Sequence, residues 1–191
     1  MKTFLQGYIN RLQQLLDAVD ISTIEAIIEA LETTLKLQGK IYIIGNGGSA
    51  ATASHMVNDL GVGLRRRDII NFDIISLADN TPVTTAIAND LGYENIFYAQ
   101  LKDQIKSEDV LIAISCSGNS QNITKAAQYA CDQGATIIGL TGFDGGELKR
   151  LATHSFHIQT PASEYGLVED MHMILDHMIY SYYINKKSLD V

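Results

Sequence analysis

A chain of 191 residues, 46% of them hydrophobic, can bury a sizeable core and is too apolar to be read as disordered. Its formal net charge of −8 excludes broad nucleic-acid binding, which needs a basic surface, and no apolar run reaches the roughly 18 residues of a membrane span. Two cysteines, Cys116 and Cys131, are too few for a disulfide framework or a thiolate metal site. The N-terminal stretch lacks the unbroken apolar core of a signal peptide, so a cytoplasmic protein is expected.

In chain order, two helical stripes come first. Phe4, Leu5, Tyr8, Ile9, Leu12, Leu15, Leu16 and Val19 recur at i, i+3/i+4 spacing, and Ile24, Ile27, Ile28, Leu31 and Leu35 repeat the pattern. Ser22 and Glu25 in "STIE" spell a capping box for the second helix, which Gly39 ends. An antiparallel helix pair over residues 1–38 is expected. From residue 40 short apolar runs alternate with helical patterns. The runs are "IYIIG", "FDIISLA", "DVLIAIS", "ATIIGLTG" and "HSFHIQT"; the helical patterns lie near 49–60, 81–104, 120–133, 145–152 and 164–185. Continuous apolar strands in βα alternation predict a parallel sheet buried on both faces. The expectation is one domain, residues 1–191: a three-layer α/β/α core over 40–191 with a parallel five-stranded sheet, preceded by the helix pair.

Two strand ends carry loops suited to anions. "GNGGSAA", Gly45 to Ala51, follows the first strand; glycines let backbone N–H groups approach a ligand, and the next helix N-terminus favours negative charge. Ser49 can cap that helix or hold the ligand. Gly45, Gly47 and Ala50 also fit a dinucleotide fingerprint, but the acidic residue it wants about 20 positions on is represented only by the late Asp79. A plain glycine turn with a serine cap is the bland alternative. The second loop, "IAISCSGNSQN", sets Ser115, Ser117 and Ser120 at the start of a helix. A cap explains Ser120 alone; three hydroxyls around a helix dipole suit a phosphate monoester without lysine. Cys116 could serve as a nucleophile, although nothing marks a base for it, and Cys131 reads as a small core residue. The run Arg65-Arg66-Arg67 reads as a solvated loop, or else as help for a small anion or a partner.

Among the histidines, His154 and His157 sit in a strand-like run and read as structural or surface residues. His55 and Asp59, at i and i+4, share one helix face and can share one pocket or one metal ion. In "EDMHMILDH", spacing favours Glu169 with His172, or His172 with Asp176. Glu169 and His177 stand about 80° and about 12 Å apart on a helix and reach one ion only if its start is irregular.

Taken together, "GNGGSAATASHMVNDL", "AIANDLGYENIF", "ISCSGNSQNI", "LTGFDGGEL" and "VEDMHMILDHMI" resemble the sugar isomerase (SIS) domain, and within it the phosphoheptose isomerase branch, over essentially the whole chain. The resemblance implies a phosphate held by Ser49, Ser115, Ser117 and Ser120. It implies a sugar lined by Asn46, Gly47, Gly48, Asn89, Asp90 and Glu169, with Cys116 where threonine is usual. It implies a zinc ion on His55, Asp59, Glu169 and His177, with Asp59 as base and His177, rather than His172, as its acid–base partner. Asp59 and Glu169 stand for the usual glutamate and glutamine, Leu167 for a usual arginine, and the basic residue after the first helix of the core is displaced to Arg65–Arg67. The activity implied is aldose–ketose isomerisation of sedoheptulose 7-phosphate to D-glycero-D-manno-heptose 7-phosphate, in heptose or lipopolysaccharide biosynthesis. Another sugar phosphate is an alternative substrate. A non-catalytic phosphosugar-binding or replication-initiator-associating module is the alternative class. The resemblance further implies a homotetramer with sites between subunits, and neither nucleic acid nor membrane as a partner.

Overall fold

The computed structural model describes residues 1–189, with side chains through residue 186; the last two residues of the expected domain lie outside the described residues. The helix pair forms as expected: α1 spans Lys2–Asp17 and α2 Ile21–Lys36. The expected capping box does not. Asp20 is the N-cap of α2, its carboxylate accepting from the Ser22 N–H at 3.0 Å, the Ser22 hydroxyl at 2.7 Å and the Thr23 hydroxyl at 3.1 Å. A carboxylate at a helix N-terminus gains from the macrodipole as well as the hydrogen bonds, so it outcompetes the hydroxyl two residues inside. The far end also differs by one residue. Gln38 takes the left-handed conformation (φ 58°), its N–H on Leu35 O, and the Gly39 N–H returns to Thr34 O at 2.9 Å, a Schellman closure with glutamine where glycine is usual.

Five parallel strands follow: β1 Lys40–Gly45, β2 Asp73–Ser76, β3 Val110–Ser115, β4 Thr136–Gly142 and β5 His154–Ile158. They lie in the order β2-β1-β3-β4-β5. Both faces are covered, which is why the strands read as unbroken apolar runs. Ile41, Ile43, Val110, Ile112 and Ile114 pack on one side against α2, α3 (Gly48–Met56) and α8 (Tyr165–Leu189). Tyr42, Ile44, Leu111, Ala113 and Ile137 pack on the other against α5 (Tyr98–Leu101), α6 (Gln121–Asp132) and α7 (Gly146–Leu151). The fold is the expected α/β class with a helical N-terminal pair.

Two helical patterns are broken differently from the reading of the sequence. The stretch 81–104 divides into α4 (Thr81–Leu91), a 3-10 turn at Tyr93–Asn95, and α5; the break is at Gly92, whose φ of 94° no helix can contain. Not one residue of α4 is buried. Meanwhile the helix after the first loop does not stop near residue 60. It passes from α3 into a π-helical segment, Val57–Gly63, that contains Asp59. Such segments are rare and are frequently found at functional sites.

Candidate active site

β1 and β3 are neighbours whose chains leave towards opposite edges of the sheet, so the gap beyond their carboxyl ends is a topological switch point, where open α/β sheets bind ligands. Gly45 pairs with Ile114 in that register, which sets the two glycine- and serine-rich loops side by side. In the second loop the Ser115 hydroxyl accepts from the Gly118 N–H and the Ser117 hydroxyl from the Asn119 N–H, each at 3.2 Å. Ser120 occupies the N-cap of α6 yet makes no capping bond; its hydroxyl lies 3.4 Å from that of Ser115. A hydroxyl released from capping at a helix N-terminus is available to an anion.

In the first loop Ser49 is buried, its hydroxyl beside the Cys116 sulfur rather than capping α3. Burial and the nearby Glu169 carboxylate push the Cys116 thiol up to about 11, which disqualifies it as a nucleophile at neutral pH. Cys131, read as a core residue, is exposed on α6. Asn46 is tied sideways: its amide pairs reciprocally with that of Asn122, and the Tyr93 hydroxyl donates to its Oδ1. Neither Asn122 nor Tyr93 was singled out in the sequence, where each reads as an ordinary polar surface residue. Asn89 and Asp90 lie exposed at the end of α4, bonded to each other at 2.7 Å.

Four ligand-type side chains meet where α3 and its π-helical continuation face α8. The ligand atoms of His55, Asp59, Asp176 and His177 all lie within 4.8 Å of one another. The Nε2 atoms of His55 and His177 are 3.2 Å apart, and His55 Nε2 lies 3.5 Å from Asp59 Oδ2 and 3.9 Å from Asp176 Oδ2. Asp176 is fully buried and neither of its oxygens has a hydrogen-bond partner. Burial first, and the Asp59 charge second, push its carboxyl up to about 7. An orphaned carboxylate aimed at two facing imidazoles and a second carboxylate fits a divalent cation, because a bound ion removes the cost of the unpaired buried group.

This set departs from the one the resemblance implied. Glu169 is not among the four: its carboxylate lies over the first loop, so close to Gly48 that a Cβ there would stand 2.5 Å from Oε1. The reason is the helix itself. α8 runs without interruption from Tyr165, and eight residues of regular helix carry Glu169 about 12 Å along the axis from His177. His172 is fully buried, its Nε2 3.3 Å from Thr141 O, and burial pushes its imidazole down to about 4. His157 is a structural neighbour, its Nδ1 3.0 Å from the Thr141 hydroxyl. Arg65, Arg66 and Arg67 are exposed, with Arg67 reaching Gly63 O and lying over the Tyr180 ring.

The SIS domain family model matches residues 6–142. The chain belongs to the SIS domain family. Within it, the chain is 38% identical over 178 residues to a phosphoheptose isomerase of Helicobacter pylori, covering 93% of this chain and 87% of the relative. It is 38% identical over 184 residues to a phosphoheptose isomerase of Clostridium acetobutylicum, covering 94% and 92%. The solved phosphoheptose isomerase of Neisseria gonorrhoeae superimposes on this SIS domain with a TM-score of 0.84 at 27% identity, over 96% of each chain.

Proposed function

We propose that this chain is a phosphoheptose isomerase interconverting sedoheptulose 7-phosphate and D-glycero-D-manno-heptose 7-phosphate. The observation that carries the reading is the joint presence of a lysine-free anion loop at the carboxyl end of β3 and a cluster of proton-accepting groups on α3, its π-helical continuation and α8. α3 joins the two: it starts at the first loop and carries His55 about 10 Å along its axis. Phosphate held by Ser115, Ser117 and Ser120, with Ser49 near, leaves the other end of the sugar to reach His55, Asp59 and His177.

Asp59 takes the proton from C1 of the ketose while protonated His177 gives one to the C2 oxygen, and an enediol results. His177 then receives the O1 proton as Asp59 returns its own to C2, giving the aldose. Asp176, His55 and Asp59, joined by His177 only in its neutral form, would hold a divalent ion, zinc by family analogy, which when bound would polarise the sugar oxygens. Asp176 takes the place in this set that the resemblance gave to Glu169, and Glu169 becomes a sugar-facing carboxylate together with Asn46, Gly47 and Gly48. Asn89 and Asp90 line the same sugar once α4 is covered in a homotetramer, in a cytoplasmic, single-domain enzyme. A carboxylate at Asp59 and an imidazole at His177 argue against the non-catalytic assembly module.

The test is turnover of a panel of five- to seven-carbon sugar phosphates, with and without chelator. Interconversion of the seven-carbon pair, lost on chelation and restored by zinc, is expected. Asp59→Asn should lower turnover by about 10²–10⁴-fold with little loss of phosphosugar affinity. Binding without isomerisation under every metal condition would return the chain to the binding-module class.

A further inference from the structure

We propose that Asn122 is a positioning residue that fixes Asn46 as a hydrogen-bond donor to an acceptor oxygen of the substrate's sugar; this rests on the phosphosugar reading above. Asn122 lies in the first turn of α6, two residues after Ser120, and is 2% exposed. Its amide faces that of Asn46 in a closed pair: Asn46 Nδ2 donates to Asn122 Oδ1 at 2.9 Å, and Asn122 Nδ2 donates to Asn46 Oδ1 at 2.8 Å. The Tyr93 hydroxyl donates to the same Asn46 oxygen at 2.9 Å.

An amide oxygen has two lone pairs and an amide nitrogen two hydrogens. Both acceptor sites of Asn46 are therefore engaged, and one of its N–H groups has no partner among the described residues. Asn46 in this setting cannot accept from a sugar hydroxyl through its side chain; it can only donate. The same pair ties the first loop to the helix whose N-terminus carries the serines, so the sugar side and the phosphate side of the crevice are held at one spacing. Tyr93 adds the 3-10 turn after α4 as a third support. Buried, mutually satisfied polar groups of this kind specify one arrangement, because breaking either partner strands the other.

The experiment compares affinity for sedoheptulose 7-phosphate with affinity for inorganic phosphate by calorimetry, alongside turnover. Asn122→Ala should reduce sugar-phosphate affinity or kcat/KM by about tenfold or more, the cost of one misplaced buried hydrogen-bonding group. Inorganic phosphate should bind as in the wild type. In an Asn46→Ala background the same change should add little, because its effect runs through Asn46. Tyr93→Phe, at an exposed position, should shift the ratio in the same direction by less, and it decides the matter should Asn122→Ala fail to fold. Equal losses for sugar phosphate and inorganic phosphate, full additivity with Asn46→Ala, or an unchanged ratio in both variants would overturn the proposal. The affinity ratio is read whether or not the protein turns over, so a wild type without isomerase activity defeats the catalytic reading alone.

Discussion

Ser120 stands at a helix N-cap and leaves the cap unmade, while Asp176 buries a carboxylate and leaves it unpaired. The Ser120 hydroxyl is bonded only to that of Ser115, at 3.4 Å, and the Asp176 carboxylate has no hydrogen-bond partner, so both are open to a ligand. Replacing Ser117 and Ser120 together by alanine should weaken phosphosugar binding by about 1.5–3 kcal/mol for each hydrogen bond lost to the charged phosphate. Inorganic phosphate should compete for the wild-type site; calorimetry showing unchanged affinity in the double variant would remove the phosphate from this loop. For Asp176 the measurement is thermal unfolding with added zinc. An ion at 100 times its Kd contributes about 2.7 kcal/mol, so the wild type should melt several degrees higher with zinc than with chelator. Asp176→Asn or His55→Ala should abolish that shift and Glu169→Gln should keep it. The opposite pattern would give Glu169 the ligand role and take it from Asp176.

At the scale of elements, two irregularities and one regularity shape the site. The π-helical segment carries Asp59, whose Oδ2 lies 3.5 Å from His55 Nε2, and the 3-10 turn brings Tyr93 onto Asn46. The regularity is α8, whose unbroken course separates Glu169 from His177 and brings Asp176 and His177 to one end of the cluster. The loop between β3 and α6 depends on Gly118, which takes φ 64° and lies against the start of α7; a Cβ there would stand 1.9 Å from Gly145 O. Backbone cannot withdraw as a flexible side chain could. Gly118→Ala should therefore cost about 2 kcal/mol or more in urea unfolding and also weaken phosphate binding, since the Gly118 N–H holds the Ser115 hydroxyl. A variant as stable as the wild type would show that the loop has another way to close.

For the molecule as a whole, the telling surface is α1. Phe4, Leu5 and Ile9 are 73%, 53% and 50% exposed, and Leu15 is the one residue of this helix that is buried. Apolar residues that the sequence placed on a helix stripe, and that the single chain leaves uncovered, mark an interface. α4, with no buried residue and exposed Val83 and Leu91, extends the same argument to the rim of the crevice. Light scattering at micromolar concentration should give an assembly of several chains, a tetramer on the family reading. Changing Phe4 and Ile9 together to glutamate should shift it to smaller species. A stable wild-type monomer would contradict this and leave Asn89 and Asp90 without their proposed place at the sugar.

Local pattern by itself determined the elements, because each signal is carried by neighbours along the chain. Apolar runs bounded by polar helices specify buried parallel strands, and the GNGGS and SCSGNS loops mark the helix N-termini that follow β1 and β3. His55 and Asp59 were legible as a pair because a helix brings i and i+4 together whatever lies around it. What needed the tertiary structure were the relations between elements. The reversal of strand order between β1 and β3 is what sets the two loops side by side, and it leaves no mark on either strand. Asp176 was visible only as a helical partner for His172; its aim at His55 and Asp59 follows from how α8 crosses α3, which spacing within one helix does not encode. The capping residue of α2 turned on a competition between Asp20 and Ser22 that charge decided. Asn122 reads as one polar residue among many, and only packing against a residue 76 positions away turns it into a support for Asn46.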